Sequence, residues 1–132
     1  MPVREIVSDE LAYPPKFGSP TSLAIQAGDN IYVSGMMPWD KDRKLVGGND
    51  VKEQTRQVLR NMEATLRAAG ASLQNVVKIN FFITDIRDKQ AIWDVRAEMF
   101  AGCRPASTLV QVSHLVDPLA RIEVEAVAYV GR

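Results

Sequence analysis

Ile122-Glu123-Val124-Glu125-Ala126-Val127-Ala128 is the stretch on which the fold turns. Side chains alternate along a strand, so Ile122, Val124, Ala126, Ala128 and Val130 share one face, and Glu123, Glu125, Val127 and Tyr129 share the other. The first set reads as core. The second, two acids beside a valine and a tyrosine, suits a subunit contact or a cleft, although an amphipathic strand with solvated glutamates has the same pattern. Upstream, Arg104-Pro105-Ala106-Ser107-Thr108-Leu109-Val110-Gln111-Val112 supplies a partner strand, predicted over about 107–113, and a turn at Asp117-Pro118 joins the two.

Working back towards the amino terminus, Val76 to Thr84 is rich in β-branched and aromatic residues and reads as a central strand. A helix is predicted on each side of it in sequence. Val51, Thr55, Val58, Leu59, Met62, Leu66 and Ala69 form one stripe that Gly70 ends, with Asp50 or Asn49 as cap and Glu53 completing a capping box. The second helix follows a turn at 85–89, buries Ile92, Val95, Met99 and Phe100, and stops at Gly102. Leu23 to Ala27 and Ile31 to Gly35 flank Gly28-Asp29-Asn30 as a hairpin, and the breaker-rich 38–49 reads as a loop with a short strand at Lys44 to Val46. This order predicts one α+β domain over 1–132: a sheet with both helices on one side. The other side, carrying Val127, Tyr129, Leu109 and Phe82, is a poor monomer surface, and closed self-association is the expected remedy.

Sixteen basic and sixteen acidic residues balance without a charged run, so the footprint of a general nucleic-acid binder is missing. One cysteine, Cys103, and one histidine, His114, do not make a disulfide or a common structural zinc site, and no metal is expected. The amino terminus lacks the apolar run of a signal peptide and no segment has bilayer-spanning length, so a soluble cytoplasmic protein without membrane partners is expected. There is no phosphate loop, nucleotide fingerprint or nucleophile elbow. His114, placed on an edge-like strand, and Cys103 read as structural or inert. What remains is carboxylate chemistry: a glutamate at the rim of a partly apolar cleft holds a water and shuttles its proton, enough to hydrolyse an already electrophilic carbon.

In order and spacing, Asn30-Ile31-Tyr32-Val33-Ser34-Gly35, Gln54 to Asn61, Leu66 to Leu73, Val76-Val77-Lys78, Phe82 to Ile86, Arg104-Pro105-Ala106-Ser107-Thr108 and Ile122 to Ala128 together resemble the Rid (YjgF/YER057c/UK114) family, formerly called endoribonuclease L-PSP. The resemblance implies a chorismate-mutase-like fold: a curved mixed sheet with two helices on one face, assembled as a homotrimer with the sheets inside and clefts between neighbours. It also implies hydrolysis of enamines or imines such as 2-aminoacrylate to a keto acid and ammonia, without metal or organic cofactor. Carried over position by position, the resemblance implies that Glu123 positions water and Ser34 is a cleft serine, while Thr21 falls near the position of a cleft tyrosine that is absent here. Ser107 stands where archetypal members carry a carboxylate-binding arginine, and Leu109 where they carry a cysteine; this is a divergent member.

A charged hydrogen bond of that kind is worth about 1.5–3 kcal/mol, so its loss weakens 2-imino-acid binding by roughly ten- to a hundredfold unless another cation replaces it. The resulting expectation is a deaminase for another enamine or imine, such as a 2-aminomuconate-like conjugated one. Glu123 activates water, Ser34, Ser107, Thr108 and Thr21 hold the substrate, and Leu109 and Trp39 make the cleft apolar. The alternative is a non-catalytic small-molecule-binding or regulatory trimer. Ribonuclease activity, suggested by the older family name, lacks a basic surface to support it.

Overall fold

A computed structural model describes residues 3–131; Met1-Pro2, part of the amino terminus read above as too polar for a signal peptide, lie outside them. The chain runs β1 (Val3–Ile6), β2 (Ala24–Ala27), β3 (Asn30–Met36), α1 (Val51–Ala68), β4 (Val76–Ile83), α2 (Lys89–Phe100), β5 (Ala106–Gln111) and β6 (Ile122–Tyr129). The strands form one mixed sheet in the order β1-β2-β3-β6-β4-β5. β6 is antiparallel to both β3 and β4, and β4 is parallel to β5. Two successive β-α-β units, β3-α1-β4 and β4-α2-β5, therefore share a sheet. A fixed crossover hand then puts both helices on the same face.

The residues forming α1 explain its ends. The Asp50 carboxylate accepts from the backbone N–H groups of Lys52 (2.9 Å) and Glu53 (3.3 Å), which settles the cap in favour of Asp50 over Asn49. The reciprocal arm of a capping box is not made: the Asp50 N–H donates to the Gly47 carbonyl and the Glu53 side chain pairs with Arg56. At the other end Gly70 takes φ +78° while the Ala71 N–H reaches the Leu66 carbonyl at 2.8 Å, a left-handed stop that suits glycine.

Val58, Leu59, Met62 and Leu66 of α1 and Ile92, Val95 and Phe100 of α2 are buried. They cover Ile79, Phe81 and Ile83 of β4 and the alternating Ile122, Val124, Ala126 and Ala128 of β6. This is the core face expected from the sequence. The opposite face carries Glu123, Glu125 and Val127 half-buried and Tyr129 exposed, alongside exposed Tyr32 and Val110.

Four details differ from expectation. β1 pairs with β2 and has no counterpart in the reading of the sequence. The short strand at 44–46 is reduced to a single bridge between Trp39 and Leu45. β5 ends at Gln111, so exposed His114 lies in a loop and not on a strand. Leu109 pairs with Phe81 and packs against the core, on the helix side and not on the open face.

Candidate active site

β3 crosses β6 with an irregularity: Val33 pairs with Ala126 and Met36 with Val124, so three steps on β3 match two on β6. The extra residue falls at Ser34-Gly35 and makes a bulge, which bends the strand and re-aims its side chains. The Glu123 side chain lies against Gly35 so closely that a Cβ there would overlap its carboxylate. Glycine at 35 is thus what lets the carboxylate settle across the strand.

Glu123 and Glu125 share a face but not an environment. The Glu125 carboxylate accepts from Asn80 Nδ2 at 3.0 Å, whereas no hydrogen-bond donor among the described residues engages Glu123. Burial, and secondarily the neighbouring Glu125, raise the Glu123 pKa above its ordinary value. A half-buried carboxylate with free lone pairs and a raised pKa can hold a water and exchange a proton with it.

Beside it, Thr21, Ser34, Gly35, Met37, Trp39 and Arg43 are among the residues lining a cavity of about 170 Å³. Gly35 is common to the cavity wall and to the Glu123 contact. The Ser34 hydroxyl donates to the Ser22 carbonyl at 2.6 Å, and Thr21 shares a hydrogen bond with Ser19 at 3.0 Å. Trp39 is fixed by donation from its indole N–H to Asp117 at 2.7 Å. Arg43 adopts φ +58° and lays its guanidinium over the rings of Phe17 and Trp39.

The sequence-predicted residues thus divide into groups. Ser34 and Thr21 line one cavity, and Glu123, which is not among its lining residues, adjoins it through Gly35. Thr108 lies on the same sheet face as Glu123, paired with Asn80, and accepts from Lys78 Nζ at 3.2 Å. Ser107 pairs with Ile79 and Leu109 with Phe81, both residues of the helix side. Within one chain, Ser107 and Leu109 therefore face away from Glu123 and from Thr108.

Ser107 is bound to a side chain that the sequence analysis missed. Arg96 of α2 donates from Nη1 to the Ser107 hydroxyl at 2.7 Å and from Nη2 to the Pro105 carbonyl at 3.4 Å. No linear signal ties 96 to 107, since the contact joins a helix to the strand beyond it. Gly35 carried a signal, the Ser-Gly pair ending a strand, but its service to Glu123 depends on the register of β6. Among the described residues no cluster of three or more histidine, cysteine, aspartate or glutamate side chains is arranged for a metal ion, and no helix is long and apolar enough to cross a membrane.

The family model described as endoribonuclease L-PSP matches residues 15–130. A RutC family protein of Pyrococcus horikoshii is 39% identical over 127 residues, covering 96% of this chain and 98% of its own length. The crystal structure of a protein of the conserved Rid family from Yersinia pestis is 35% identical with a TM-score of 0.88, covering 98% of this chain and all of that one. RidA of an Antarctic Psychrobacter is 31% identical with a TM-score of 0.87, covering 96% and 98% of the two chains.

Proposed function

We propose, from the premise that this chain belongs to the Rid family whose matching model is described as endoribonuclease L-PSP, that it hydrolyses a reactive enamine or imine to a carbonyl compound and ammonia. The observation that carries this reading is Glu123: a half-buried carboxylate that no donor among the described residues claims, lodged over Gly35 beside a hydroxyl-lined cavity. An enamine tautomerises to its imine, whose carbon accepts water once a proton from solvent has been taken up on nitrogen. Glu123 takes a proton from that water as oxygen bonds to carbon and gives it to the nitrogen of the resulting carbinolamine; the carbon–nitrogen bond then breaks as the hydroxyl proton returns to solvent and the carbonyl forms, releasing ammonia. Oxygen, nitrogen and protons balance with water as the only co-reactant.

Glu123 and the Ser107 edge point from opposite faces of one sheet, so a single copy does not present both to one substrate. A closed homotrimer, with the open face of each copy meeting the β5 edge of the next, brings the two halves together and covers Tyr32, Val110 and Tyr129. With serine at 107, a larger conjugated enamine of the 2-aminomuconate type suits the site better than 2-aminoacrylate. A cytoplasmic setting fits the single cysteine. The balanced charge of the chain offers RNA no basic track.

The test is ammonia release from a panel of enamines made in situ. The natural chain is expected to act faster on conjugated enamines than on 2-aminoacrylate, and Glu123→Gln to lower turnover about a hundredfold or more with Glu125→Gln lowering it less. Full activity in Glu123→Gln would remove the mechanism. Ligand binding without ammonia from any enamine would favour the non-catalytic trimer.

A further inference from the structure

Where α2 ends and β5 begins, Trp93, Arg96, Ala97, Gly102, Cys103 and Arg104 line a groove of about 430 Å³, distinct from the cavity beside Glu123. Its floor is cationic. The Arg96 guanidinium lies over the buried rings of Phe81 (5.2 Å to the centroid) and Phe100 (5.8 Å), and its bonds to Ser107 and Pro105 fix its rotation. The acids of the same helix are turned elsewhere, Asp94 towards Lys52 at 3.7 Å and Glu98 towards Arg56 at 3.8 Å. Among the described residues no carboxylate forms an ion pair with Arg96 or Arg104, and no acid lines the groove.

In a chain with no net charge, two unpaired guanidiniums around one recess are a local preference for an anion. Trp93, 42% exposed, adds an indole wall. The dimensions and chemistry match a flat organic acid better than a bare inorganic ion, because the groove is mostly apolar apart from its two cations.

We propose that this groove binds the carboxylate of a small conjugated acid, with the free N–H groups of Arg96 on the carboxylate, the flat body against Trp93, and Arg104 reinforcing the field from the rim. An arginine fork reads a carboxylate with two parallel hydrogen bonds, and the bonds to Ser107 and Pro105 pre-orient it. Burial depresses the Arg96 pKa, and an incoming carboxylate compensates that desolvated charge. Taken as the seat of the substrate's carboxylate, the groove rests on the deaminase reading; as a binding site it is measurable alone.

Calorimetric titration with sorbate, a conjugated monocarboxylate that undergoes no deamination, tests it, with sorbyl alcohol as the uncharged control. The natural chain is expected to bind sorbate at least about tenfold more tightly than the alcohol, and Arg96→Gln to lose about ten- to a hundredfold of the sorbate affinity. Arg104→Gln should lose less, and chiefly at low salt. If Arg96→Gln does not fold, Arg96→Lys, which keeps the charge without the fork, should still weaken sorbate. Equal binding of sorbate and alcohol, no binding of sorbate, or unchanged affinity in the folded Arg96 variants would overturn the site. Sorbate binding that depends on Arg96, with no ammonia from any enamine, would uphold the groove and remove the deaminase reading. Ammonia release unaffected by saturating sorbate or by Arg96→Gln would overturn the groove as a substrate site and leave deamination standing.

Discussion

Glu123 and Glu125 are two positions apart on β6, and the difference between them is one hydrogen bond and one glycine. Asn80 pins Glu125, while Glu123 lies unclaimed over Gly35. Because burial raises the Glu123 pKa, the folded chain holds that proton more tightly than the unfolded chain does. The associated stabilisation is complete below the ordinary carboxylate value of about 4.3 and is lost as pH rises through the folded pKa. Glu123→Gln has no such proton to lose. The natural chain should therefore lose stability relative to Glu123→Gln between acid and neutral pH, as read from denaturation midpoints of the two proteins at both. A gap that widens in favour of the natural chain towards neutral pH would contradict the burial of this carboxylate. The same shift predicts that activity, which needs the ionised form, falls on acidification at a pH above the usual carboxylate range.

At the scale of elements, β5 is an edge strand and carries Ser107, at the position where the family resemblance implies an arginine. Ser107 is not simply a missing arginine: the Arg96 guanidinium from α2 is bonded to its hydroxyl. Restoring arginine at 107 therefore sets two guanidiniums against each other, and Ser107→Arg alone should lower the melting temperature, not merely improve 2-aminoacrylate turnover as the sequence comparison suggests. Combining it with Arg96→Ser should relieve the conflict, with a coupling of about 0.5–3 kcal/mol in a double-mutant cycle. Strict additivity would show that the two side chains do not share the space.

The helices, the β2–β3 hairpin and the core face of β6 were legible because one buried face imposes a period on the residues that make it. β1 escaped because its four residues are exposed apart from Ile6 and show no period. The facing of β5 escaped for a related reason. Alternation groups Ser107 with Leu109 and Thr108 with Val110, but every residue of this strand except Leu109 is exposed, so burial does not say which group meets the helices. Of the candidate site, Glu123 and Ser34 could be read from motifs in order. Gly35 as a seat and Arg96 as a neighbour arise from register and helix packing, which no linear spacing encodes.

For the whole molecule, the sheet has one face closed by two helices and one left with Tyr32, Val110 and Tyr129 exposed beside half-buried acids. Exposed aromatic and branched residues on a flat face are costly in water and are relieved when copies close on one another. The proposed closure also answers the chemical question, because within one copy Ser107 faces away from Glu123. Sedimentation equilibrium of the natural chain, run at micromolar concentration in the buffer used to measure ammonia release, tests this most directly. A single species of about three times the 14.6 kDa chain mass is expected; a monomer that still releases ammonia from enamines would contradict the shared site.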